Sequence, residues 1–487
     1  MLWDLLPSAL RALIISTHLV TPPPAPEPPA LEFQLRHHHG VAANSTSPRV
    51  IFADVPQAFH TASQSTIQTR PVTIHRPSSF AAFNSARFRF RNPLDIEPLR
   101  WDAEEVPGPD YTRRDVLLQL AKMTHNSYYE PSNKEWYDLG KDWNNTFPFG
   151  WEPDAAGFRG HIFVSTDNST VVISVKGTST GLWEPSRALD KLNDNLLFSC
   201  CCAKVGPTWT PVCPCAQGGG KCDEECVERS LVDESLFYPI GLNLYNNVTY
   251  MYPDANIWLI GHSLGGSLAA LMGATFGAPV VAFETPADRL AARRLHLPSP
   301  PSTLHITHVF HTADPIPMGA CTGVTSMCAI GGYALESRCH LGQRIVYDTI
   351  TQLGWAQDVR THPIKVIIDQ LLGKPWNATK IGPKPGEGEP KQGEGEGDQS
   401  GGGDPSGRDS HSGGGDHDPS GAGDHPELGE GDRSEGGEEG GDVWWWPRWP
   451  GGGKGGEEPE DGVDLNYVPP AVPEEDDCVD CYAWEYV

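Results

Sequence analysis

Apolar residues in this chain gather in short blocks separated by turn-formers, and the spacing within each block predicts an element. Residues 111–128 repeat at helical spacing behind a helix-starting Asp110. Residues 161–165 and 171–175 are two short strand-like runs split by the turn-forming Asp167-Asn-Ser, which predicts a strand pair. Residues 256–260 read as an apolar strand, 264–276 as a helix of small residues, and 280–283 and 304–310 as further strands; a last helix fits 363–372. Strands alternating with helices place the chain in the α/β class, with a mainly parallel central sheet and flanking helices.

Outside these blocks the pattern fails in informative ways. An apolar run at 9–20 is shorter than the roughly 20 residues a spanning helix needs and is interrupted by Arg11 and His18. Residues 1–20 fit either a cleaved signal or an uncleaved signal anchor. Residues 21–100 read as a stem and N-terminal extension, Pro-rich and then His/Ser-rich to 48, with a few strands between 49 and 90. Residues 101–380 hold the mixed domain. From 381 to 477 composition falls to Gly, Glu, Asp, Pro and Ser, too poor in apolar side chains to fold, so disorder is expected there. Two islands remain, Trp444-Trp-Trp-Pro-Arg-Trp449 and the terminal 478–487, which either dock or stay unstructured. The stretch from about 384 is expected to be dispensable for catalysis.

Charge follows the same division. Residues 384–480 carry 27 acidic and 6 basic side chains, so they hold -21 of the formal -27 and leave the body only mildly acidic. No basic face stands out, which argues against a nucleic-acid partner. The cysteines cluster at 200–202, 213, 215, 222 and 226, at 321, 328 and 339, and at 478 and 481. Zinc and disulfides both suit such clusters. The sequons at Asn44, Asn144, Asn168, Asn247 and Asn377 favour disulfides in an oxidising secretory compartment. Seven cysteines in the first group is an odd number, so at least one pairs outside it or stays free; Cys321, Cys328 and Cys339 are the expected partners.

The chemistry centres on Gly261-His-Ser-Leu-Gly265. The bare pattern arises readily by chance, but here it follows an apolar strand and opens a small-residue helix, the context of a nucleophile elbow. Ser263 is therefore the candidate nucleophile, with its hydroxyl at a helix N-terminus where developing negative charge is favoured. In that fold the acid follows the serine and the base comes last. Asp314 lies in a breaker-rich loop just past a predicted strand. His362, fixed before Pro363 at a helix start, is the preferred base, with His340 as runner-up. His305, His308 and His311 are expected to face polar surroundings or solvent, and His262 to pack within the elbow. Two backbone N–H groups, of Leu264 and Thr178, are the candidate oxyanion donors, with the Thr178 hydroxyl as a further donor. No cofactor or metal is called for.

The elbow, the Lys176-Gly-Thr-Ser loop and Asp314-Pro-Ile-Pro resemble the fungal class 3 lipases, an α/β-hydrolase family. Phe198-Ser-Cys-Cys-Cys with its cysteine loop, and the terminal Cys478-Val-Asp-Cys-Tyr-Ala-Trp, are similar to the autophagy-related vacuolar branch of that family. The resemblance implies a Ser-Asp-His lipase acting on membrane phospholipid and triacylglycerol, with Thr178 in the oxyanion hole. It implies a single-pass type II protein of endosomes and multivesicular bodies, delivered to the vacuole to lyse autophagic bodies and other vesicles. The short, Arg11-bearing N-terminal run departs from that pattern. Two other readings share these residues: a soluble-ester hydrolase of the feruloyl-esterase kind, and a cysteine-rich membrane-binding protein without activity.

Overall fold

Strand-forming runs of Val, Ile and Phe assemble an 11-stranded sheet. The computed structural model describes residues 30–41, 50–54, 66–88, 99–137, 139, 157–165, 167–179, 187–206, 209–234, 237–374, 376 and 466–487. In chain order the first strands are β1 (Ala30–Val41), β2 (Val50–Asp54), β3 (Thr66–Pro77), β4 (Trp101–Pro109), β5 (Gly160–Ser165) and β6 (Thr170–Val175). Two short strands, β7 (Ala216–Gly218) and β8 (Lys221–Cys222), precede β9 (Asn256–His262), β10 (Val280–Phe283), β11 (Ile306–His311) and β12 (Gln343–Tyr347). The last two are β13 (Val472–Pro473) and β14 (Glu485–Tyr486). Across the sheet the order is β13-β12-β11-β10-β9-β6-β5-β1-β3-β4, with β2 on β1. Strands β6, β9, β10, β11 and β12 run parallel, and β5 lies antiparallel to β6. A parallel core reached through helical crossovers, with the antiparallel strands toward its two edges, is the α/β-hydrolase architecture.

Side chains alternate across the sheet and fill two cores. Ile257 and Leu259 of β9, Ile173 of β6 and Val280 of β10 face helices Arg187–Phe198, Phe237–Met251 and Leu264–Phe276. Their neighbours Trp258, Ile260, Val172 and Val281 face helix Arg114–Asn126 and the segment 364–372. Burial on both faces makes these strands read as continuous apolar runs. Most of the predicted elements recur with small shifts. The helix predicted at 111–128 spans Arg114–Asn126, and that at 363–372 is one α-turn, Ile364–Val366, continued as a π-helix to Leu372.

The extended stem is corrected at 30–41, which pairs with β5 and β3 in the main sheet. Pairing through backbone groups needs no apolar alternation, so the His-rich composition concealed it. Near the other terminus, residues 466–487 dock on the body. Tyr467 and Val468 pack on the second core, β13 pairs with β12, and Cys481 and Cys478 bond to Cys200 and Cys339. The folded terminal segment therefore includes 466–477 as well as 478–487. By contacts the chain divides into 1–381 with 463–487, and 382–462; the second unit, with the tryptophan island, lies outside the described residues. No described helix is long and apolar enough to cross a membrane, and residues 1–29 lie outside the described set.

All twelve cysteines are in disulfides. Within the first cluster Cys201 pairs with Cys222, Cys202 with Cys213 and Cys215 with Cys226. The expected outside partner is corrected: the odd cysteine, Cys200, bonds to Cys481, while Cys321 pairs with Cys328. A partner 281 residues away leaves no trace in local spacing.

Candidate active site

The elbow forms because β9 must turn into helix Leu264–Phe276 with no loop between them. Ser263 absorbs the turn at φ 55°, ψ -134°, a left-handed-side backbone that L-residues enter only under constraint. Glycine is required on both sides. A Cβ at Gly265 would sit 2.3 Å from the Val175 carbonyl oxygen, and one at Gly261 would sit 2.5 Å from the Gly265 carbonyl carbon. Ser263 N–H donates to the Phe283 carbonyl at 3.0 Å, tying the turn to β10.

Asp314 and His362 reach the serine from the loop after β11 and from the turn before the last helix. Asp314 lies three residues past β11, fully buried, and its Oδ1 accepts from the Ile316 N–H at 3.0 Å. The loop bearing His362 is hung on Asp314's neighbour: Asp358 N–H and the Thr361 hydroxyl both donate to the Ala313 carbonyl. His362 Nδ1 then donates to Asp314 Oδ2 at 2.6 Å, and its Nε2 lies 2.9 Å from Ser263 Oγ. A carboxylate can only accept, so Nδ1 carries the hydrogen and Nε2 is free to take the serine proton. Burial raises the Asp314 pKa, but the charge and hydrogen bond of His362 outweigh it and hold the carboxyl below its usual range. His340, the runner-up base, is buried elsewhere, with Nε2 on the Pro317 carbonyl at 2.9 Å.

The two candidate oxyanion donors are backbone groups of adjoining elements. Among the described residues the N–H groups of Leu264 and Thr178 donate to nothing. The Thr178 hydroxyl is not available as a third donor, because it donates to Asp194 Oδ2 at 2.5 Å. Asp194 is a buried carboxyl pushed up to about 8, first by burial and then by nearby Asp190. Asp190 in turn accepts from Ser179 N–H at 2.9 Å and pairs with buried Lys176 at 3.3 Å. Both acids lie on helix Arg187–Phe198, so a helix missed in the sequence fixes the loop that holds Thr178.

His262 is corrected from packing residue to hub. Gly177 N–H donates to Tyr128 Oη at 3.0 Å, and that hydroxyl donates to His262 Nδ1 at 2.7 Å. His262 Nε2–H reaches the His362 carbonyl at 2.9 Å. One chain of hydrogen bonds thus joins oxyanion loop, elbow and base. Burial, then the charge of His362, lowers His262 to about 3, so it stays neutral and keeps one donor and one acceptor. Glu284, also unforeseen, is fully buried near Asp314; burial, then the Asp314 charge, raises its pKa far above the usual range. No sequence signal marks Tyr128 or Glu284, since their partners are distant in the chain. Of the two alternatives for His305, His308 and His311, polar surroundings hold and solvent does not: all three are buried, with polar contacts inside the fold. Asn168 and Asn247 are exposed, whereas Asn44, Asn144 and Asn377 lie outside the described residues.

The model of the class 3 lipases matches residues 240–322, taking in Ser263 and Asp314 and ending before His362. A protein of Cryptococcus neoformans named "Putative lipase ATG15" is 47% identical over 404 residues, 81% of this chain and 71% of its own length. A namesake from Mycosarcoma maydis is 43% identical over 64% of this chain and 62% of that protein, and one from Candida albicans is 45% identical over 56% and 49%. This chain therefore spans between about half and seven-tenths of these relatives. Among solved structures, the Lip2 lipase of Yarrowia lipolytica overlaps loosely, with a TM-score of 0.26 and 16% identity over 47% of this chain and 77% of that one. The fold is given by the strand order, independently of that overlap.

Proposed function

This chain belongs to the class 3 lipases of the autophagy-related type, and from that premise we propose that it hydrolyses lipid esters through Ser263, His362 and Asp314. The observation that carries the reading is the continuous line from Ser263 Oγ to His362 Nε2 and from His362 Nδ1 to Asp314 Oδ2. In the proposed reaction His362 takes the Ser263 proton as Oγ attacks the ester carbonyl. The N–H groups of Leu264 and Thr178 hold the resulting oxyanion, and Asp314 steadies the imidazolium. His362 then protonates the leaving alcohol, and a water activated by the same imidazole frees the fatty acid.

The substrates we propose are phospholipid and triacylglycerol presented in vesicle membranes. Val324, Met327 and Ile330, 63%, 59% and 68% exposed, lie in the segment that follows Asp314 and is bridged by Cys321–Cys328. Exposed apolar side chains so grouped suit contact with a lipid surface. Six disulfides, with exposed Asn168 and Asn247 as glycan acceptors, support an oxidising lumen of the endosomal and vacuolar route. There the enzyme would lyse autophagic bodies and other vesicles. The test is fatty-acid release from vesicles of defined phospholipid and from emulsified triacylglycerol, with the Ser263→Ala chain as control. Release by the wild type alone supports the proposal. Release by both chains, or activity confined to dissolved short esters, overturns it.

A further inference from the structure

Asp288, His308 and His340 come from three separate elements and meet in the interior. Asp288 precedes helix Arg289–Arg294, His308 is central in β11, and His340 stands just before β12. All three are fully buried. Each has one polar atom engaged on its outer side. Asp288 Oδ1 accepts from Leu341 N–H at 2.8 Å, His308 Nδ1 lies 2.8 Å from the Thr285 hydroxyl, and His340 Nε2 lies 2.9 Å from the Pro317 carbonyl.

Their inner atoms are the anomaly. Asp288 Oδ2, His308 Nε2 and His340 Nδ1 have no hydrogen-bond partner among the described residues. The three lie within 4.8 Å of one another, and Nε2 of His308 is 3.4 Å from Oδ2 of Asp288. The Pro317 carbonyl can only accept, so Nε2 of neutral His340 carries the hydrogen and Nδ1 turns a lone pair inward. That lone pair faces a carboxyl and a second imidazole. A hydrogen on His308 Nε2 could serve Asp288 or the nearby Leu341 backbone, and the His340 lone pair is then met only by a proton held on Asp288 or by a cation. A shared cation satisfies all three.

We propose that these residues form a buried structural site for a divalent transition metal of the zinc type. Two imidazole nitrogens and one carboxylate oxygen are a zinc ligand set. Bonds of about 2.0–2.1 Å in tetrahedral geometry put donors about 3.3 Å apart, close to the His308–Asp288 separation. The outer contacts with Thr285, Pro317 and Leu341 are of the kind that fixes tautomer and orientation around bound metals. Further carboxylates lie close by. Glu474 accepts from His340 N–H at 2.8 Å, and Asp480 accepts from the N–H groups of Arg338 and Cys339. Two cations stand beside them: Arg344 is paired with Glu474 at 3.3 Å, and Arg289 donates to the His340 and Glu475 carbonyls. A second trio of candidate donors, Cys202, Cys213 and Cys215, cannot ligate because each is in a disulfide. The metal would brace β11, helix Arg289–Arg294 and the loop bearing Cys339 where the terminal segment is fastened.

The test is metal analysis of the full chain, secreted from cells and purified without chelators or metal-charged resin. Wild type is expected to hold one zinc more than the Asp288→Asn/His308→Gln double variant, in which amides keep the outer contacts and weaken the inner donors. Removing zinc by chelator should lower the Tm of wild type, and added zinc chloride should restore it. Equal zinc in both chains overturns the proposal, because sites such as His37–His39 would then account for the metal. If the double variant does not fold, wild type decides the matter. Stoichiometric zinc whose X-ray absorption fits two imidazoles and an oxygen supports the site, and a chelated wild type that takes up no zinc rejects it.

Discussion

The elbow and the cysteine-rich corner of this chain are both precise in geometry, but they are held by different means. Around Ser263 the residues lie in or beside packed parallel strands, and glycine contacts and hydrogen bonds set the positions of Oγ, Nε2 and Oδ2. Around Cys200–Cys226 and 466–487 the regular structure is sparse, and four of the six disulfides touch the 200–226 loop. A site built on strands and helices inherits its precision from the core. A corner with little apolar surface is closed covalently, by limiting the unfolded chain.

The sharpest test of that contrast is to remove chemistry from one region and bonds from the other. Ser263→Ala should lower kcat by about 10⁴-fold or more while leaving the Tm unchanged, and Asp314→Asn should cost about 10⁴-fold. Steady-state hydrolysis beside calorimetry separates the two readouts; a Ser263→Ala chain that keeps a tenth of its activity would refute the assignment. In the cysteine corner the signs reverse. Replacing Cys200 and Cys481 alone should cost about 2–4 kcal/mol, because Cys339–Cys478 spans 139 residues against 281 and leaves the stretch from 200 to 339 unclosed. Removing both bridges should cost on the order of 5 kcal/mol. For the same reason truncation after Lys380 should lower the Tm, whereas deletion of 382–462 alone should not; the expectation that catalysis does not need the tail is read separately, from hydrolysis by the same two variants.

A smaller effect probes the join between loop and elbow. Tyr128→Phe leaves Gly177 N–H and His262 Nδ1 without their partner, at a cost of about 1–3 kcal/mol in stability. It should also lower kcat by about tenfold with KM little changed, since the loop carrying Thr178 loosens. An equal loss of kcat from a surface variant of the same Tm would show that only stability was affected.

The smallest effect is in pH. The folded chain holds the Asp194 proton to about 8 against an ordinary 3.8, so between those values acidification favours the fold. His125, His161 and His305 are lowered to about 4 and His262 to about 3, chiefly by burial, so below 6.5 the unfolded chain takes up protons the folded one refuses. His308, His311 and His340 are lowered by burial as well, so seven imidazoles oppose three strongly raised carboxyls, Asp194, Glu284 and Asp288. Tm should therefore rise as pH falls from 8 to about 6.5 and drop below it. Asp194→Asn, which keeps an acceptor for Thr178, should make the alkaline limb shallower and leave the acid limb unchanged.

These contrasts also mark where sequence was legible. Strand β10 and helix Leu264–Phe276 recur at their predicted bounds because buried parallel strands and small-residue helices leave local patterns. The triad was legible because its order along the chain follows from the fold. Helix Arg187–Phe198 escaped notice because its buried face carries Asp190, Asn193, Asp194 and Asn195 beside Leu196 and Leu197, which blurs any apolar period. The pairing of β1 with β5, the Cys200–Cys481 bridge and the Tyr128–His262 contact depend on partners over 100 residues away, beyond any local pattern.

The two bridges to the terminal segment also set the covalent topology of the chain. Residues 382–462 lie between a body ending near 381 and a segment bonded back to it through Cys478 and Cys481, so both their ends are fastened to one unit. A protease cutting anywhere in that span would convert one polypeptide into two without separating them. The nicked protein would run as a single species under oxidising conditions and as two after reduction. Loss of the acidic span by proteolysis would thus leave the catalytic body and its terminal segment as one molecule.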